Sequence, residues 1–323
     1  METPQQPPNA DAEANTDQAT RMGSQPSPAG SLILEDMGTP GFESEIAHKK
    51  KGKVGLLFYV SVFWVVLIVF CAIFADLLPV ADPLKQDIAN RRSSPFTNGF
   101  ILGADGLGRD ILARLVHGAR TSVVISVTAV VVGSTVGGVL GLSAGYIRGR
   151  YEGLVMGGVN TLLAFPGLIL LLTLVAFVGQ NLPAITVAVA FLSIPTYTRV
   201  SRATTLAVSQ REFVLAAKAM GAKRNRILFR EIAPNVAMPV MAFGLIALGT
   251  VIILEGSLAF LGLSVQPPTP TWGTMINEGR RTISDGIYHL TVTPALVLFF
   301  TVFSLNYVGD SLRNVFDVRE GQL

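Results

Sequence analysis

The sequence is poor in charge, cysteine and histidine. Charged residues make up 15% of its 323 residues, and it contains one cysteine, Cys71, and three histidines. A single cysteine excludes an internal disulfide and a cysteine metal cluster. His48, His117 and His289 lie too far apart along the chain to show the spacing of a zinc site. The sequence therefore predicts no metal site.

Motifs for nucleotide chemistry and for nucleic-acid binding are also missing. No glycine-rich loop ends in Gly-Lys-Ser or Gly-Lys-Thr, so we expect the chain to bind no nucleotide cofactor itself. No basic stripe with interleaved aromatic residues occurs, which argues against a nucleic-acid partner. Gly141, Ser143 and Gly145 have the spacing of a hydrolase nucleophile elbow, but they lie in an apolar helical pattern and not between a strand and a turn. We predict no catalytic residue.

Apolar residues are what the sequence has in abundance. They form 50% of the chain, and the mean hydropathy is +0.51, which predicts an all-α polytopic protein that lies largely in a lipid bilayer. About six segments approach the roughly 20 residues that cross a bilayer core of about 30 Å. Pro195, Pro234 and Pro239 interrupt two of them, which we expect to face protein. The predicted crossings are residues 54–78, 121–146, 154–178, 183–200, 233–255 and 290–308.

Composition divides the chain into a tail and a membrane domain. Residues 1–47 are rich in Pro, Gln and Ser without an apolar period, which predicts a disordered cytoplasmic tail before the membrane domain, residues 48–323. An excess of Lys and Arg in short loops marks the cytoplasmic side. We therefore predict both termini and the loop 209–235 in the cytoplasm, and the loop 79–120 outside. The basic residues of the predicted cytoplasmic side lie at 49–53, 148–150, 199–230 and 313–319.

The predicted external loop admits two interpretations. In an ordinary turn-rich loop, Asp105, Arg109 and Asp110 would be solvated charges. Apolar residues recur at helical spacing from 111 to 116, however, which is typical of an amphipathic helix. We favour a structured external element whose helix lies at the outer surface.

Glycines recur every four residues in the second predicted crossing. This spacing places them on one helical face, where the missing side chains allow another helix to approach closely. We predict a helix-packing seam there. Its residues are Gly133, Gly137, Gly141 and Gly145, and Gly149 continues the spacing.

The loop 209–235 contains the signature of a short helix. Ser209 is placed to cap it, Glu212 follows three residues later as in a capping box, and Gly221 suits its end. A helix with small residues on one face can dock into a groove of a partner protein. Its basic residues are equally typical of a helix that lies on anionic lipid. The pattern alone leaves both interpretations open.

This loop resembles the cytoplasmic coupling loop of ABC-importer permeases, in which Glu-Ala-Ala is followed by a spaced Gly and a later Ile-x-Leu-Pro. The positions that match are Ala216, Ala217, Gly221 and Pro234. The positions that depart from the motif are Leu215, Glu231 and Ala233. The departure at Leu215 removes the motif's acidic residue, but docking does not depend on one surface charge.

Three further stretches are similar to the C-type permease of dipeptide, oligopeptide and nickel importers. They read LGADGLGRDILARLVHGARTS at 102–122, LAFPGLIL at 163–170 and LEGSLAFLGLSVQPPTPTWGTMINEGR at 254–280. The resemblance implies the type I ABC-importer permease fold and import of short peptides in the cytoplasmic (inner) membrane of a prokaryote, with nickel or another small solute as the alternative substrate. It also implies a homologous second permease, an extracytoplasmic binding protein, and two ATPase subunits or one fused double ATPase that hold ATP and magnesium.

Two sets of residues are candidates for function within this family. The predicted helix would couple the permease to the ATPase, with Phe213 and Met220 as its bulkiest apolar anchors. Glu255, an ionisable residue at the end of a predicted crossing, would line the outer gate or extend to the interface. The alternatives are an ion-coupled secondary transporter, whose inverted repeats are not evident, and an intramembrane enzyme. The coupling residues are Arg211, Glu212, Phe213, Ala216, Ala217, Met220 and Gly221.

Overall fold

The computed structural model describes the backbone of residues 55–320 and the side chains of residues 55–313. The predicted tail, residues 1–47, lies outside this range. Within it the chain is helical, and its only strand-like pairs are two isolated bridges, Thr97 with Phe100 and Ala104 with Asp110. The all-α fold class is confirmed.

The helices are long and connected mostly by short turns. A π-helical turn interrupts α2 at Gly133–Gly137, and another lies near the start of α7 at Ile227–Ile232. Helices α6 and α8 are short and lie between longer ones. In chain order the helices are α1 Leu56–Phe74, α2 Ile111–Ile147, α3 Gly149–Ala164, α4 Gly167–Val178, α5 Leu182–Val208, α6 Glu212–Ala219, α7 Arg224–Phe260, α8 Trp272–Arg280 and α9 His289–Glu320.

Five of these helices, α1, α2, α5, α7 and α9, are long and apolar enough to cross a bilayer. Helices α3 and α4, of 16 and 12 residues, are each too short to cross and pass the same test only as a pair, which is bent by 90°. If this pair counts as one crossing, the described part of the chain contains six. The predicted number of about six crossings is therefore confirmed.

The third predicted crossing, residues 154–178, is wrong as a single straight helix. The chain leaves the helical conformation at Phe165, whose backbone is extended at φ −79° and ψ 138°. Pro166 follows, and a proline restricts the preceding residue to extended conformations. The sequence contained this signal, but the apolar run on both sides of Pro166 concealed the break.

Two predicted loops are shorter than expected because α2 and α7 are each 37 residues long. The predicted amphipathic helix at the outer surface is wrong: residues 111–116 are the first turns of α2. Their apolar face, with Ile111 and Leu115, is buried against Trp272 and Met275. At the other loop α7 begins at Arg224, so the segment between α5 and α7 is only 209–223.

The bundle has two ends that differ in composition. One, which we call the basic end, contains residues 146–152 and 199–231, where the hydroxyl group of Tyr146 donates a hydrogen bond to the carbonyl oxygen of Arg224 at 3.0 Å. The opposite end, which we call the cap, contains residues 75–110 and 261–288. There Arg120 of α2 forms an ion pair with Asp76 at 2.8 Å.

The glycine face of α2 lies against α5. A Cβ atom added at Gly133 would lie 2.6 Å from the ring of Tyr197, and one added at Gly145 would lie 2.9 Å from Thr205 Cβ. Gly137 and Gly141 meet the backbone of α5 in the same way. Gly149 has no such neighbour within 4 Å and begins α3 instead. The close approach brings α2 and α5 into direct backbone contact.

The prolines within the helices differ in their surroundings. Pro195 is buried inside α5, as expected for a segment that faces protein. Pro234 is exposed on the surface of this chain. It lies two residues after the end of the π-helical turn Ile227–Ile232, whose wider spacing of hydrogen bonds changes the backbone close to where proline supplies no N–H group.

Candidate functional site

Helix α6 is the predicted coupling helix, and it ends as expected. Gly221 has φ +77°, and its N–H group donates to Lys218 O at 3.0 Å. The N–H group of Ala222 donates to Ala217 O at 3.1 Å. These two bonds form the glycine-dependent helix end known as the Schellman motif.

The predicted start of this helix is wrong. Arg211 occupies the N-cap position, and no side chain caps α6. The hydroxyl group of Ser209 instead donates to Thr205 O at 2.6 Å, so Ser209 belongs to the last turn of α5. A serine at a helix end can bond back to its own helix as readily as forward to the next.

One face of α6 packs against its own chain. Val214 and Ala217 are buried and contact Val208, Ile227 and Ile232. Ala217, predicted to belong to the partner-binding face, is thus an internal contact. Val214 was not among the predicted site residues, although its spacing of three from Ala217 was a signal for a buried stripe. This packing fixes α6 to the start of α7.

The other face of α6 is exposed. Met220 is 81% exposed, Leu215 52% and Phe213 38%. The predicted site residues Arg211, Glu212, Ala216 and Gly221 are exposed as well. Large apolar side chains on a surface mark a site of contact with protein or lipid. We call Phe213, Leu215, Ala216 and Met220 the α6 surface.

A second exposed aromatic residue lies close to α6. Phe229 is 68% exposed and belongs to the π-helical turn Ile227–Ile232, which contacts α6. Sequence reasoning missed it because Phe229 lies outside the short-helix signature. Turns of this type are frequent at functional sites.

Polar contacts brace the rest of the basic end. Arg202 of α5 donates from Nε to Glu152 Oε1 of α3 at 2.6 Å. Arg199 donates to Asn160 Oδ1 at 3.0 Å. These contacts fasten α3 to α5, so the basic residues there also have structural roles.

The cap contains a buried cluster of four charged residues. Arg109 lies 2.6 Å from Asp105 and 3.0 Å from Glu278, and Arg114 lies 2.7 Å from Glu278. Arg114 also forms an ion pair with Asp105. The side chain of Arg114 is 2% exposed, whereas that of Glu278 is 35% exposed. We call these residues the cap ion cluster.

This cluster rules out the first interpretation of the predicted external loop, that of an ordinary turn-rich loop. Asp105 and Arg109 are buried and paired, so they are not the solvated charges of an ordinary loop. The carboxylate of Asp105 also accepts the backbone N–H groups of Leu107 at 2.8 Å and Arg109 at 2.9 Å. The sequence carried no signal for the partnership with Glu278, which lies 164 residues after Arg114.

Helix α8 is held in the cap by polar contacts and close packing. Trp272 is buried and donates from its indole N–H to Leu115 O of α2 at 3.1 Å. Thr271 caps the helix by accepting the N–H of Thr274 at 3.1 Å. A Cβ atom at Gly273 would lie 2.8 Å from Gly256 Cα of α7. Helix α8 is therefore in contact with both α2 and α7.

Glu255 is buried inside the chain, and this corrects its predicted place at an outer gate. The residue is 1% exposed, because α7 continues to Phe260 and the cap covers it. Ser264 donates to Glu255 Oε1 at 2.9 Å, and the hydroxyl groups of Thr271 and Ser122 lie near the carboxyl group. Glu255 therefore joins α7 to the cap and to the start of α8.

Two cavities accompany these elements. One has a volume of about 310 Å³ and lies between the α3–α4 bend, α5 and α7, with Phe165, Phe191, Thr196 and Phe243 in its wall. The other has a volume of about 340 Å³ and lies in the cap beside the ion cluster. No group of three or more His, Cys, Asp or Glu residues in the described ranges could hold a metal ion.

Comparison with known proteins identifies relatives along most of the chain. The di/tripeptide transport system permease protein DppC of Pseudomonas aeruginosa is 37% identical over 281 residues, which cover 85% of this chain and 90% of that protein. The glutathione transport system permease protein GsiD of Escherichia coli is 39% identical over 260 residues, which cover 80% of this chain and 84% of that protein.

A solved structure shares the fold. A chain of the MetNI methionine ABC transporter, in inward facing conformations, has a TM-score of 0.53 and 19% identity, and the match covers 62% of this chain and 96% of that one. The model of the family described as "binding-protein-dependent transport system inner membrane component" matches residues 137–321, from the glycine seam to the end of α9. This chain therefore belongs to that family and has the all-helical fold of an ABC-importer permease.

Proposed function

We propose that this chain is one of two permease subunits of an ATP-driven importer of short peptides. The observation that carries the proposal is the α6 surface, whose apolar side chains are exposed while the opposite face of α6 is fixed to α7. The relatives named for di/tripeptide and glutathione transport support peptides as the substrate class. Nickel, the alternative implied by the resemblance, has no support from these names.

The packing of α6 suggests how motion would pass through the chain. Val214 and Ala217 bind α6 to Ile227 and Ile232, so a partner that moves α6 must also move the start of α7. A close-packed contact transmits displacement because it has little free volume. Helix α7 then runs without a break to Phe260 in the cap.

At the cap, α7 is joined to α8 through Glu255 and through the contact of Gly256 with Gly273. Displacement at the basic end therefore reaches the cap through one continuous element. Rigid-body movement of this kind, shared with a second subunit, would expose a central passage to one side of the membrane at a time. We assign alternating access to this pair of permeases.

The complete importer needs partners that this chain does not supply. We propose a homologous second permease, two ATPase subunits or one fused double ATPase at the basic end, and an extracytoplasmic binding protein at the cap. ATP and magnesium would be held by the ATPase subunits. The excess of Lys and Arg at the basic end supports its placement in the cytoplasm, together with both termini.

The α6 surface supplies the direct test. The double variant Phe213→Asp, Met220→Asp, coexpressed with its partner subunits, should insert normally but retain at least about tenfold less ATPase subunit on purification, since losing one interface anchor costs about 2 kcal/mol. Reconstituted complexes should lose ATP hydrolysis that depends on substrate and binding protein.

A matched control uses two exposed apolar residues of the cap, Ile88 and Phe96. The double variant Ile88→Asp, Phe96→Asp introduces the same charge at the opposite end and should copurify with the ATPase subunits at the wild-type level. Wild-type copurification of the α6 double variant would refute the docking assignment. It would favour the interpretation that α6 lies on anionic lipid.

A further inference from the structure

The cap cavity has the composition of a ligand site. Its volume is about 340 Å³, and apolar side chains form much of its wall, including Leu107, Met275 and Leu290. Sites for small molecules are typically concave and largely apolar, with a few placed polar groups that fix the orientation of the ligand. In this cavity the polar groups are mainly guanidinium groups.

The cavity carries more positive than negative charge. Arg92, Arg109, Arg114 and Arg281 line it, against Asp105 and Glu278. Arg92 pairs with Asp285 at 3.1 Å. Arg281 is exposed, and its side chain has no ion pair or hydrogen bond within the described part of the chain. One cation at the mouth of the cavity therefore remains uncompensated.

In the inner part of the cavity, two arginines already bind a carboxylate of this chain. Arg109 and Arg114 both contact Glu278 Oε2, at 3.0 and 2.7 Å. Arg114 is almost fully buried, and its Nε atom has no hydrogen-bond partner within the described residues. Guanidinium groups recognise carboxylates through paired N–H donors, and a buried donor without a partner favours a further acceptor.

We propose that the cap cavity binds the C-terminal end of a peptide substrate. The terminal carboxylate contacts Arg281 and the Arg114 edge of the cap ion cluster, and the last side chain lies on the apolar wall formed by Leu107, Met275 and Leu290. The arginines and the apolar wall of the cavity are complementary to a ligand that has a free carboxylate beside an apolar group. The assignment rests on the proposed function, because it takes its ligand class from peptide import.

The test compares two adjacent arginines. Arg281 lines the cavity, whereas the guanidinium group of Arg280 lies over the ring of Phe260, 4.8 Å from its centroid. Arg281→Gln and the control Arg280→Gln make the same change of charge. Both are measured in the complete complex in proteoliposomes with the unaltered binding protein. The probes are the tripeptide Ala-Ala-Leu and its C-terminal amide.

We expect Arg281→Gln to raise the KM for Ala-Ala-Leu about three- to fivefold, the size of a solvent-exposed ion pair, with an unchanged maximal rate. The KM for the amide should stay at the wild-type value, and Arg280→Gln should change neither. For each peptide, the KM of the variant is divided by the KM of the wild type, so that any preference of the binding protein for one peptide cancels.

Three results would overturn the site. One is an equal change in KM for the free acid and the amide, and another is an equal effect of the two arginine variants. The third is weaker docking of the peptide-free binding protein to Arg281→Gln, which would show that the carboxylate comes from that protein. Failure of the proposed function looks different: wild-type proteoliposomes would then show no ATP-dependent uptake of Ala-Ala-Leu at all.

Discussion

The two ends of this permease are held together in different ways. At the basic end, α6 packs through small apolar contacts at Val214 and Ala217 and leaves large apolar side chains exposed. In the cap, buried ion pairs and hydrogen bonds join α8 to α2 and α7, and they compensate one another inside the chain. The basic end thus leaves large apolar side chains available for contact with protein or lipid, whereas most of the cap is satisfied by its own residues.

Apolar packing and buried ion pairs respond differently to substitution. A surface held by apolar packing tolerates changes that preserve volume. A buried ion cluster does not tolerate loss of one member, because the remaining charges stay buried without a partner. We therefore expect the cap to behave as a rigid unit and the α6 surface as the exchangeable contact.

The strongest test of the contrast is removal of Arg114. Arg114→Ala leaves the carboxylates of Asp105 and Glu278 with Arg109 alone, and we expect it to destabilise the protein by roughly 3–5 kcal/mol. The measurement is thermal unfolding of the purified complex in detergent. Arg92→Ala, which breaks the exposed pair with Asp285, should cost at most about 1 kcal/mol. Equal losses from both variants would mean that burial of the cluster does not govern cap stability.

A second test measures how much the close approach at the α2–α5 seam contributes to stability. Gly137→Ala places a Cβ atom 2.5 Å from the carbonyl oxygen of Ile194, in backbone that cannot move aside easily. We expect a loss of about 1–3 kcal/mol in the free energy of unfolding. Gly153→Ala in α3 has nothing within 4 Å and should instead stabilise the helix by roughly 0.5–1 kcal/mol. In the same unfolding assay, the two variants should change the free energy of unfolding in opposite directions. Changes of the same sign would contradict this explanation.

The smallest expected effect lies at the end of α6. Gly221→Ala forces a residue with a Cβ atom into φ +77° and should cost about 1 kcal/mol. Gly221→Asn should cost less, because asparagine adopts the left-handed conformation more readily. Reconstituted coupled ATP hydrolysis should fall for the alanine variant and recover in part for asparagine. Identical activities would show that the glycine end does not position the α6 surface.

Local patterns were sufficient for much of the fold. The apolar segments predicted about six crossings, and the motifs at 102–122, 209–235 and 254–280 predicted the permease family, both now confirmed. Gly221 as the end of α6 was predicted from the requirement of a helix end for positive φ. The topology of the termini, the tail and the partner subunits remain predictions.

Two of the errors, at Glu255 and at residues 111–116, share one cause, which is that the deciding neighbour is distant in sequence. Glu255 looked like the end of a crossing, but the cap folds over it and supplies Ser264 and Thr271 as partners. Residues 111–116 looked like a surface helix, but Trp272 covers their apolar face. Neither partner could be inferred from spacing along the chain.

By itself the sequence determined how many apolar segments are candidates to cross a bilayer, where basic residues concentrate and which family the chain belongs to, because these follow from summed hydropathy, summed charge and local motifs. Only the tertiary structure decided which charges pair in the cap and which face of α6 stays free. These depend on contacts between residues far apart in the chain, and burial in such contacts sets whether a charge or an apolar side chain is satisfied internally or available to a partner.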